Sequence, residues 1–192
     1  GLIKKTEIEE YTKAKKSTGI QAIKIKDGDE LLSVTFMNKE DIIIGTKFGN
    51  VIRVPSDDIN PIGKLTSGVK GIALKENDEV VSAFYISKDT NYLGIFTHNG
   101  NSKKMDINNF VIQKRNGRGN TIIPLEKNDY VTSIIPLIKE DSVLVVGKPN
   151  SICTTVPELS EQSKNGSGTK IIERSTVQSV IVLWLKLLKM VL

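Results

Sequence analysis

The sequence is poor in the residues that build disulfides and metal sites. Among its 192 residues it has one cysteine, Cys153, and one histidine, His98. A single cysteine cannot form an internal disulfide, which favours a reducing compartment. His98 stands beside a predicted turn with no other metal-ligating residues around it, and Cys153 falls in a predicted strand, where we expect a small buried hydrophobe. The sequence therefore predicts neither a metal site nor a cofactor.

A long apolar segment is also missing. The apolar stretch 180–192 covers 13 residues, whereas a membrane-spanning helix needs about 20. Core packing or a partner contact is therefore favoured over a membrane anchor. The N-terminus shows no pattern of a secretory signal. Because Gly1 leads directly into a strand pattern, we expect the chain to be a piece of a longer protein.

Helical periodicity is almost absent before residue 184, and a repeat of about 50 residues takes its place. Three sets of anchor residues share this interval: Gly1, Gly49, Gly100 and Asn150; Gly19, Gly68 and Gly119; and Asp29, Asp78 and Asp129. Such a period indicates stacked supersecondary units, as in a propeller or a solenoid. We predict one domain over residues 1–183, with repeats at 1–48, 49–99, 100–149 and 150–183, and an apolar tail at 184–192.

Each repeat is predicted to contain four short strands, since β-branched residues are bounded by glycine, asparagine or aspartate. The predicted strands are 2–5, 21–25, 31–36 and 42–46; 51–54, 71–74, 79–85 and 92–96; 102–105, 121–123, 130–135 and 143–146; and 152–155, 169–172 and 177–183. The fourth repeat has no evident last strand. Glycine turns at 47–50 and 98–101 predict hairpins that join the last strand of one repeat to the first strand of the next. The recurring aspartates, replaced by Ser175 in the fourth repeat, are expected to cap turn amides.

Acidic residues are missing from one window in every repeat. The windows 11–23, 59–74, 107–125 and 162–172 contain glycine and cations but no aspartate or glutamate, in a chain of net charge +5. If equivalent positions face the same way in each repeat, their cations form a ribbon along one edge, which suits a curved polyanion such as duplex DNA. Lysines that merely populate solvated loops are the alternative interpretation.

The most cationic loop is 113–119, which reads Gln-Lys-Arg-Asn-Gly-Arg-Gly and combines backbone freedom with phosphate-seeking charge. Other candidates lie in the remaining acid-free windows and in the first strand of three repeats. The full set of candidate DNA contacts is Gln113, Lys114, Arg115, Gly117, Arg118 and Gly119; Lys13, Lys15, Lys16, Lys64, Lys70, Lys164 and Lys170; and Lys4, Lys5, Arg53, Lys103 and Lys104.

The chain resembles the C-terminal domain of the A subunit of bacterial type IIA topoisomerases, DNA gyrase or topoisomerase IV. The resemblance rests on Gly-Leu-Ile-Lys-Lys-Thr at 1–6, on 19–31 and on 68–82, and it weakens in the fourth repeat. It implies an all-β pinwheel, a propeller-like disc of four-stranded blades that binds and bends duplex DNA with its basic rim. About four blades are expected here, as an open arc of a disc of about six. Residues 113–119 are similar to the gyrase box Gln-Arg-Arg-Gly-Gly-Lys-Gly, with Lys114, Asn116 and Arg118 as the differences.

The resemblance implies a DNA-binding domain without catalytic residues of its own. Its expected partners are duplex DNA, the other domains of the A subunit, and the ATPase partner subunit, in the bacterial cytoplasm at the nucleoid. No membrane partner is expected. A propeller that binds protein through its faces, without DNA binding, is the alternative function.

Overall fold

The computed structural model describes residues 1–12, 17–36 and 40–183. Its regular structure there is β-strand and short 3₁₀ turns, as the sequence predicts for an all-β chain. The strands are β1 (Leu2–Ile3), β2 (Ile42–Thr46), β3 (Asn50–Val54), β4 (Val69–Lys70), β5 (Val80–Tyr85), β6 (Tyr92–Thr97), β7 (Asn101–Asp106), β8 (Asn120–Thr121), β9 (Val131–Leu137), β10 (Ser142–Lys148), β11 (Ile152–Thr155), β12 (Thr169–Lys170) and β13 (Thr176–Leu183). The 3₁₀ turns, which the sequence did not predict, are Ile8–Tyr11, Ser56–Asp58, Ile107–Asn109 and Val156–Glu158.

Each complete blade takes its strands from three consecutive repeats. The two four-stranded sheets have the orders β5-β2-β3-β8 and β9-β6-β7-β12. In both, the central hairpin joins the last strand of one repeat to the first strand of the next, as predicted. The outer strands are the third strand of that next repeat and the second strand of the repeat after it. All pairings within these sheets are antiparallel.

Glycine allows the two central hairpins to turn tightly. Gly49 and Gly100 have φ angles of 74° and 89°, a left-handed backbone that glycine adopts without steric cost. An aspartate in the repeat that begins at the turn then accepts hydrogen bonds from turn amides. Asp78 Oδ1 accepts hydrogen bonds from the backbone N–H of Phe48 and of Glu79, both at 3.0 Å. The expected role of the repeated aspartates as turn caps is confirmed at this position.

The same cap recurs with small changes in the other repeats. Asp129 Oδ1 accepts from Asn99 and Tyr130 at 2.9 Å, and in the fourth repeat Ser175 Oγ accepts from Asn150 at 3.2 Å. Asp29 receives only the N–H of its neighbour Glu30 in the described part of the chain. Within the described residues, Asp29 therefore caps no amide of a second turn.

Two predicted strands of the first repeat are wrong. Residues 21–25 and 31–36 have no strand conformation and are mostly exposed. The pairing rule of the other blades explains the error, because no strand among the described residues stands in the place of their partners. A β-branched segment without a neighbouring strand has no ladder of hydrogen bonds to join.

The hydrophobic core lies between blades as well as within them. The largest cluster joins Ile43 and Val51 of one blade to Leu93, Ile95 and Ile134 of the next. A hydrogen bond crosses the same boundary, from the backbone N–H of Ile134 to Ser82 Oγ at 2.9 Å. The central strands of the two four-stranded blades are therefore covered on both faces.

The described blades form an open arc, as expected. β1 pairs only with β4 in a two-stranded sheet, and the last sheet has three strands in the order β13-β10-β11. No strand pairing among the described residues joins these two ends. The predicted tail at 184–192 lies outside the described residues.

Candidate nucleic-acid interface

The loop 113–119 links the third 3₁₀ turn to β8 and is held through its own backbone. Its hydrogen bonds run to β3 and to the segment that follows β4. They are Gln113 N to Arg53 O at 2.8 Å, Asn116 N to Gly71 O at 2.7 Å, and Ala73 N to Gly117 O at 2.9 Å. Because the main chain makes these bonds, they do not engage the side chains of Lys114, Arg115 and Arg118.

The three cations of this loop are all exposed. Lys114, Arg115 and Arg118 are in the exposed class, and Arg115 donates a long hydrogen bond of 3.4 Å to the carbonyl oxygen of Lys70. Within the described residues, the ion pairs are Lys47 with Glu79 and Arg53 with Asp41. The loop therefore presents three charges that no carboxylate neutralises there.

Gly119 sets how closely the loop approaches the blade. Its φ is 68°, and an added Cβ would lie 2.5 Å from the carbonyl oxygen of Val51. Gly68 and Gly168 occupy the same repeat position, with positive φ and with Cβ distances of 2.5 and 3.0 Å to the oxygens of Ile3 and Ser102. The glycine anchor seen in the sequence is thus the point where the second strand of one repeat meets the first strand of the repeat before it.

A lysine lies beneath the equivalent loop of the fourth repeat. Lys103, on β7, is fully buried, and its Nζ donates to the carbonyl oxygens of Ser163 and Gly166, both at 2.7 Å. Burial lowers the pKa of this ammonium to about 8, since a low-dielectric surrounding disfavours the charged form. Through its two hydrogen bonds, Lys103 holds this loop from the inner side of the blade.

Lys4 of the first repeat holds the equivalent loop of the second repeat in the same way, whereas the loop 113–119 has no lysine at this position. Lys4 Nζ donates to the oxygens of Lys64 and Ala22 at 2.6 and 2.7 Å. At the equivalent position of the second repeat stands Ile52, whose Cδ1 is 3.2 Å from the Cβ position of Gly117. The most cationic loop thus rests on an apolar side chain.

The residue after Lys4 and the residue after Lys103 are also lysines, and each of them donates to a 3₁₀ turn. Lys5 Nζ donates to Ser56 O at 3.1 Å and Lys104 Nζ to Val156 O at 2.8 Å. Arg53 pairs with Asp41 at 2.8 Å. Lys104 is 8% exposed and Lys103 0%. The expectation that these two lysines face a polyanion is therefore not met, because both blade faces are covered at β7.

The remaining candidates occupy the equivalent loops of the neighbouring repeats. Lys70, Lys164 and Lys170 are exposed, and Lys64 is half-buried. Lys64 donates to Glu10 O at 3.3 Å, and Lys170 to Asn99 O. Lys13, Lys15 and Lys16 lie outside the described residues.

Gln162 is a structural residue of these loops that sequence reasoning missed. Its Oε1 accepts from Gly168 N at 3.0 Å, and its Nε2 donates to Thr169 Oγ1 at 3.2 Å. It stands at the repeat position of Gln113, 49 residues earlier. That spacing was the signal that could have found it.

Two open clefts lie between adjacent repeats. One, of about 520 Å³, runs from the end of loop 113–119 to the equivalent loop of the fourth repeat and is lined by Asn120, Thr121, Pro124, Lys164 and Asn165. The other, of about 480 Å³, is lined by Lys148, Lys170 and Arg174 together with the acidic residue Glu126. Lys148 and Arg174 were not among the sequence candidates. Cations of the fourth repeat thus line both clefts, and Glu126 offsets part of that charge in the second one.

The structure places His98 against an aromatic ring and Cys153 on an exposed sheet edge. His98 stacks on Tyr130 with ring centroids 4.6 Å apart. Cys153 is exposed, so its predicted burial is wrong: β11 lies at the edge of a three-stranded sheet. Within the described ranges, no group of three metal-ligating residues is present. Nor does any helix there combine the length and apolar character needed to cross a bilayer.

Each four-stranded blade takes its outer strands from neighbouring repeats, and its basic loop ends at a glycine with positive φ. Blades of this kind form a β-pinwheel. A family model described as the DNA gyrase C-terminal domain, beta-propeller, matches residues 1–36, 40–87 and 91–137. The chain belongs to this family.

Individual relatives agree with this assignment. The chain is 33% identical over 179 residues to the DNA gyrase A subunit of Kosmotoga olearia and 32% identical over 177 residues to that of Helicobacter pylori. Each match covers 90% of this chain, and respectively 22% and 21% of the relative. The chain thus spans about a fifth of the length of these relatives.

Solved structures show the same fold. The C-terminal domain of DNA topoisomerase IV superposes with a TM-score of 0.89 at 23% identity, covering 95% of this chain and 59% of that one. The DNA gyrase A C-terminal domain gives 0.77 at 27% identity, covering 86% and 58%. The expected pinwheel fold and the expected kinship are confirmed.

Proposed function

We propose that this chain binds and bends duplex DNA without strong sequence preference, as the C-terminal domain of a type IIA topoisomerase A subunit. The observation that carries the proposal is the loop 113–119, whose backbone is fixed while Lys114, Arg115 and Arg118 are exposed without carboxylate partners. A guanidinium fork matches phosphate geometry. A fixed loop also loses little entropy when it binds.

Sequence preference is expected to be weak because the exposed groups suit phosphates rather than base edges. The described residues contain no α-helix that could enter a major groove, and the candidate contacts are lysines and arginines on loops. Contacts to phosphates position a protein on DNA but carry no base information. Bendable sequences should still be favoured, since bending costs less on them.

Bending follows from the repetition of the loop along the arc. Lys70, Arg118 and Lys170 flank the glycine anchors of three successive repeats, and Lys164 lines the cleft beside Asn120. Blades that fan around an arc place equivalent loops on a curved line. A duplex that contacts several of these loops must follow that curve, and the contacts repay its elastic cost.

The chain is proposed to act as a non-catalytic part of a larger enzyme. Its partners would be the other domains of the A subunit, together with the ATPase subunit, in the bacterial cytoplasm at the nucleoid. Support comes from its match to about a fifth of the gyrase A subunits. The division into a pinwheel domain at 1–183 and a tail at 184–192 is part of this proposal.

The experiment replaces the three loop cations, Lys114, Arg115 and Arg118, together by alanine. DNA bending, measured by fluorescence transfer between the ends of a short duplex, should be lost while the circular dichroism spectrum is retained. Removing three phosphate contacts should also flatten the log-log salt dependence of binding by about 3. A matched control removes the same charge from exposed lysines outside the basic windows, as Lys88→Ala, Lys127→Ala and Lys139→Ala, and should keep bending.

Two results would contradict the proposal. Bending that survives the triple replacement but is lost when Lys13, Lys15 and Lys16 are replaced would move the main contact to the first repeat. A chain that shows no salt-dependent affinity for DNA would instead support the protein-binding alternative.

A further inference from the structure

A backbone hydrogen bond of one kind ties neighbouring repeats together at two junctions of the chain. It runs from the fifth residue after one glycine anchor to the residue two positions before the next anchor. The two bonds are Lys24 N to Thr66 O at 3.2 Å and Ala73 N to Gly117 O at 2.9 Å. The basic loops of the second and third repeats are thus tied to the repeat before them.

At the junction between the third and fourth repeats, a proline stands at the donor position. Pro124 is the fifth residue after the glycine anchor of its repeat, and proline has no backbone N–H. The matching acceptor, the carbonyl oxygen of Gly166, instead receives a hydrogen bond from Lys103 Nζ at 2.7 Å. Asn165 N, at the position where Asn116 N bonds Gly71 O, donates to Ser163 Oγ at 3.4 Å. A cleft of about 520 Å³ opens at this junction.

The lining of this cleft combines cationic, polar and apolar groups. It consists of Asn120, Thr121, Pro124, Lys164 and Asn165, all of them exposed. This set contains no acid, and Glu126, two residues beyond Pro124, lines the other cleft. The 520 Å³ cleft therefore offers an ammonium group, two side-chain amides and a proline ring with no carboxylate in its lining.

We propose that this cleft receives one sugar–phosphate strand of the bound duplex, with Lys164 and the two amides on phosphate oxygens and Pro124 against a deoxyribose. The proposal rests on DNA binding as the proposed function and adds a site to it. Lysine and asparagine side chains are frequent phosphate contacts. A sugar–phosphate strand is apolar at its sugars and anionic at its phosphates, so it matches the mixed lining of the cleft.

The position of the cleft favours DNA over an acidic peptide as the occupant. The cleft lies between the loops 113–119 and 162–168, so a duplex that contacts both loops crosses it. The windows that contain these loops, 107–125 and 162–172, have no aspartate or glutamate. Cationic surface therefore continues on both sides of the cleft, which suits a long polyanion better than a short one.

Isosteric charge changes in the cleft test the contact. Asn120→Asp and Asn165→Asp keep the shape of the side chain and place a carboxylate where a phosphate is expected. Each should lower the affinity for a short duplex about tenfold or more in fluorescence anisotropy, because like charges then oppose each other. Asn77→Asp adds the same charge at an exposed asparagine outside the basic windows and should change the affinity less than about twofold. Equal affinities of the three variants would overturn the proposal.

Closing the cleft gives an independent test. Pro124→Ala restores the amide that Ala73 uses at the preceding junction, so the new N–H should bond the oxygen of Gly166 and exchange slowly with deuterium. DNA affinity should then fall about tenfold, because a strand in the cleft loses its phosphate contacts. Pro157→Ala, at an exposed proline of the fourth 3₁₀ turn, is the control and should leave the affinity unchanged.

Two results of this second test would contradict the proposal. A freely exchanging amide at position 124 would show that the missing N–H does not open the cleft. Full DNA affinity beside a protected amide would show that no strand lies in it.

Failure of the cleft and failure of the proposed function are distinguishable. If the unmodified chain does not bind DNA, the proposed function itself is wrong. If it binds DNA, and replacement of Lys114, Arg115 and Arg118 abolishes bending while Asn165→Asp has no effect, only the cleft is wrong. A glutamate-rich peptide that binds the unmodified chain but not Asn165→Asp, while that variant keeps its DNA affinity, would assign the cleft to an acidic protein and overturn the proposal.

Discussion

Gly119 offers the sharpest stability test of the strand-exchanged architecture. The perturbation is Gly119→Ala, which adds one methyl group at the crossing of the loop 113–119 and β3. That methyl would lie 2.5 Å from the oxygen and 2.7 Å from the carbonyl carbon of Val51. Both atoms belong to the backbone of an interior strand, so neither can move away without disturbing the blade.

The expected cost has two parts. A non-glycine residue with φ near 68° pays about 1 kcal/mol for the left-handed conformation. Forcing β8 and β3 apart adds about 1 to 3 kcal/mol, the range found when well-packed interiors are overfilled. The free energy of unfolding should therefore fall by about 2 to 4 kcal/mol.

Gly19→Ala is the matched control, because it has the same repeat position and a φ of 62° with nothing within 4 Å. It should cost about 1 kcal/mol or less, the conformational part alone. Urea denaturation followed by circular dichroism compares the free energy of unfolding of the two variants. If the two variants differ by less than about 0.5 kcal/mol, the close approach of β8 to β3 does not contribute as argued.

Three further outcomes are expected. Asp129→Ala removes two hydrogen bonds, from Asn99 and Tyr130, and should lower the free energy of unfolding in urea by about 1 to 2 kcal/mol. Asp29→Ala should lower it by less than about 0.5 kcal/mol. Equal losses in the two variants would contradict the cap assignment. Burial lowers the pKa of Lys103 to about 8 from an ordinary 10.5, so the unfolded chain binds more protons between these values and stability should rise with pH there by up to about 3 kcal/mol. Lys103→Met should abolish its share of that rise in denaturation curves at about pH 7 and pH 10, and an unchanged pH profile would contradict it. DNA affinity should fall with salt at a log-log slope of about −5 to −9 for six to ten phosphate contacts, and competing duplexes of unrelated sequence should differ less than about a hundredfold.

The sequence predicts most of this fold because the repeat is visible in its turn residues. Glycines and aspartates at fixed spacing have local reasons for their positions, namely left-handed φ angles and turn amides to cap. The hairpins at Gly49 and Gly100 followed from those residues. The exchange of outer strands between repeats did not, since short strands such as β8 carry no signal of which neighbour they join.

Strand prediction failed where the partner is missing rather than where the local pattern is weak. Residues 31–36, which read Leu-Leu-Ser-Val-Thr-Phe, have high β-propensity and still form no strand. Their equivalents in β5, which read Val-Val-Ser-Ala-Phe-Tyr, do form one because β2 lies beside them. A strand forms only where a neighbouring strand completes its ladder of hydrogen bonds, so tertiary context overrides local β-propensity.

The charged residues were predicted less well than the fold, for a related reason. Alternation along a strand separates a buried face from a solvated one only when one face of the sheet meets water. In β7 four consecutive residues, 102–105, are buried, because both faces of the blade pack against neighbours. Lys103 and Lys104 therefore look like surface charges in the sequence although they are internal braces.

These internal lysines also bear on why the third loop is the most cationic at its surface. The ammonium groups of Lys4 and Lys103 each hold loop carbonyls, and the charge of Lys103 is buried inside the blade. Ile52 takes this position under 113–119, and backbone bonds of Gln113 and Asn116 hold the loop instead. The cations of this repeat's loop can then all lie on the outer side. An apolar support below and a cationic face above cost less than burying a further ammonium, because burial penalises the charged form.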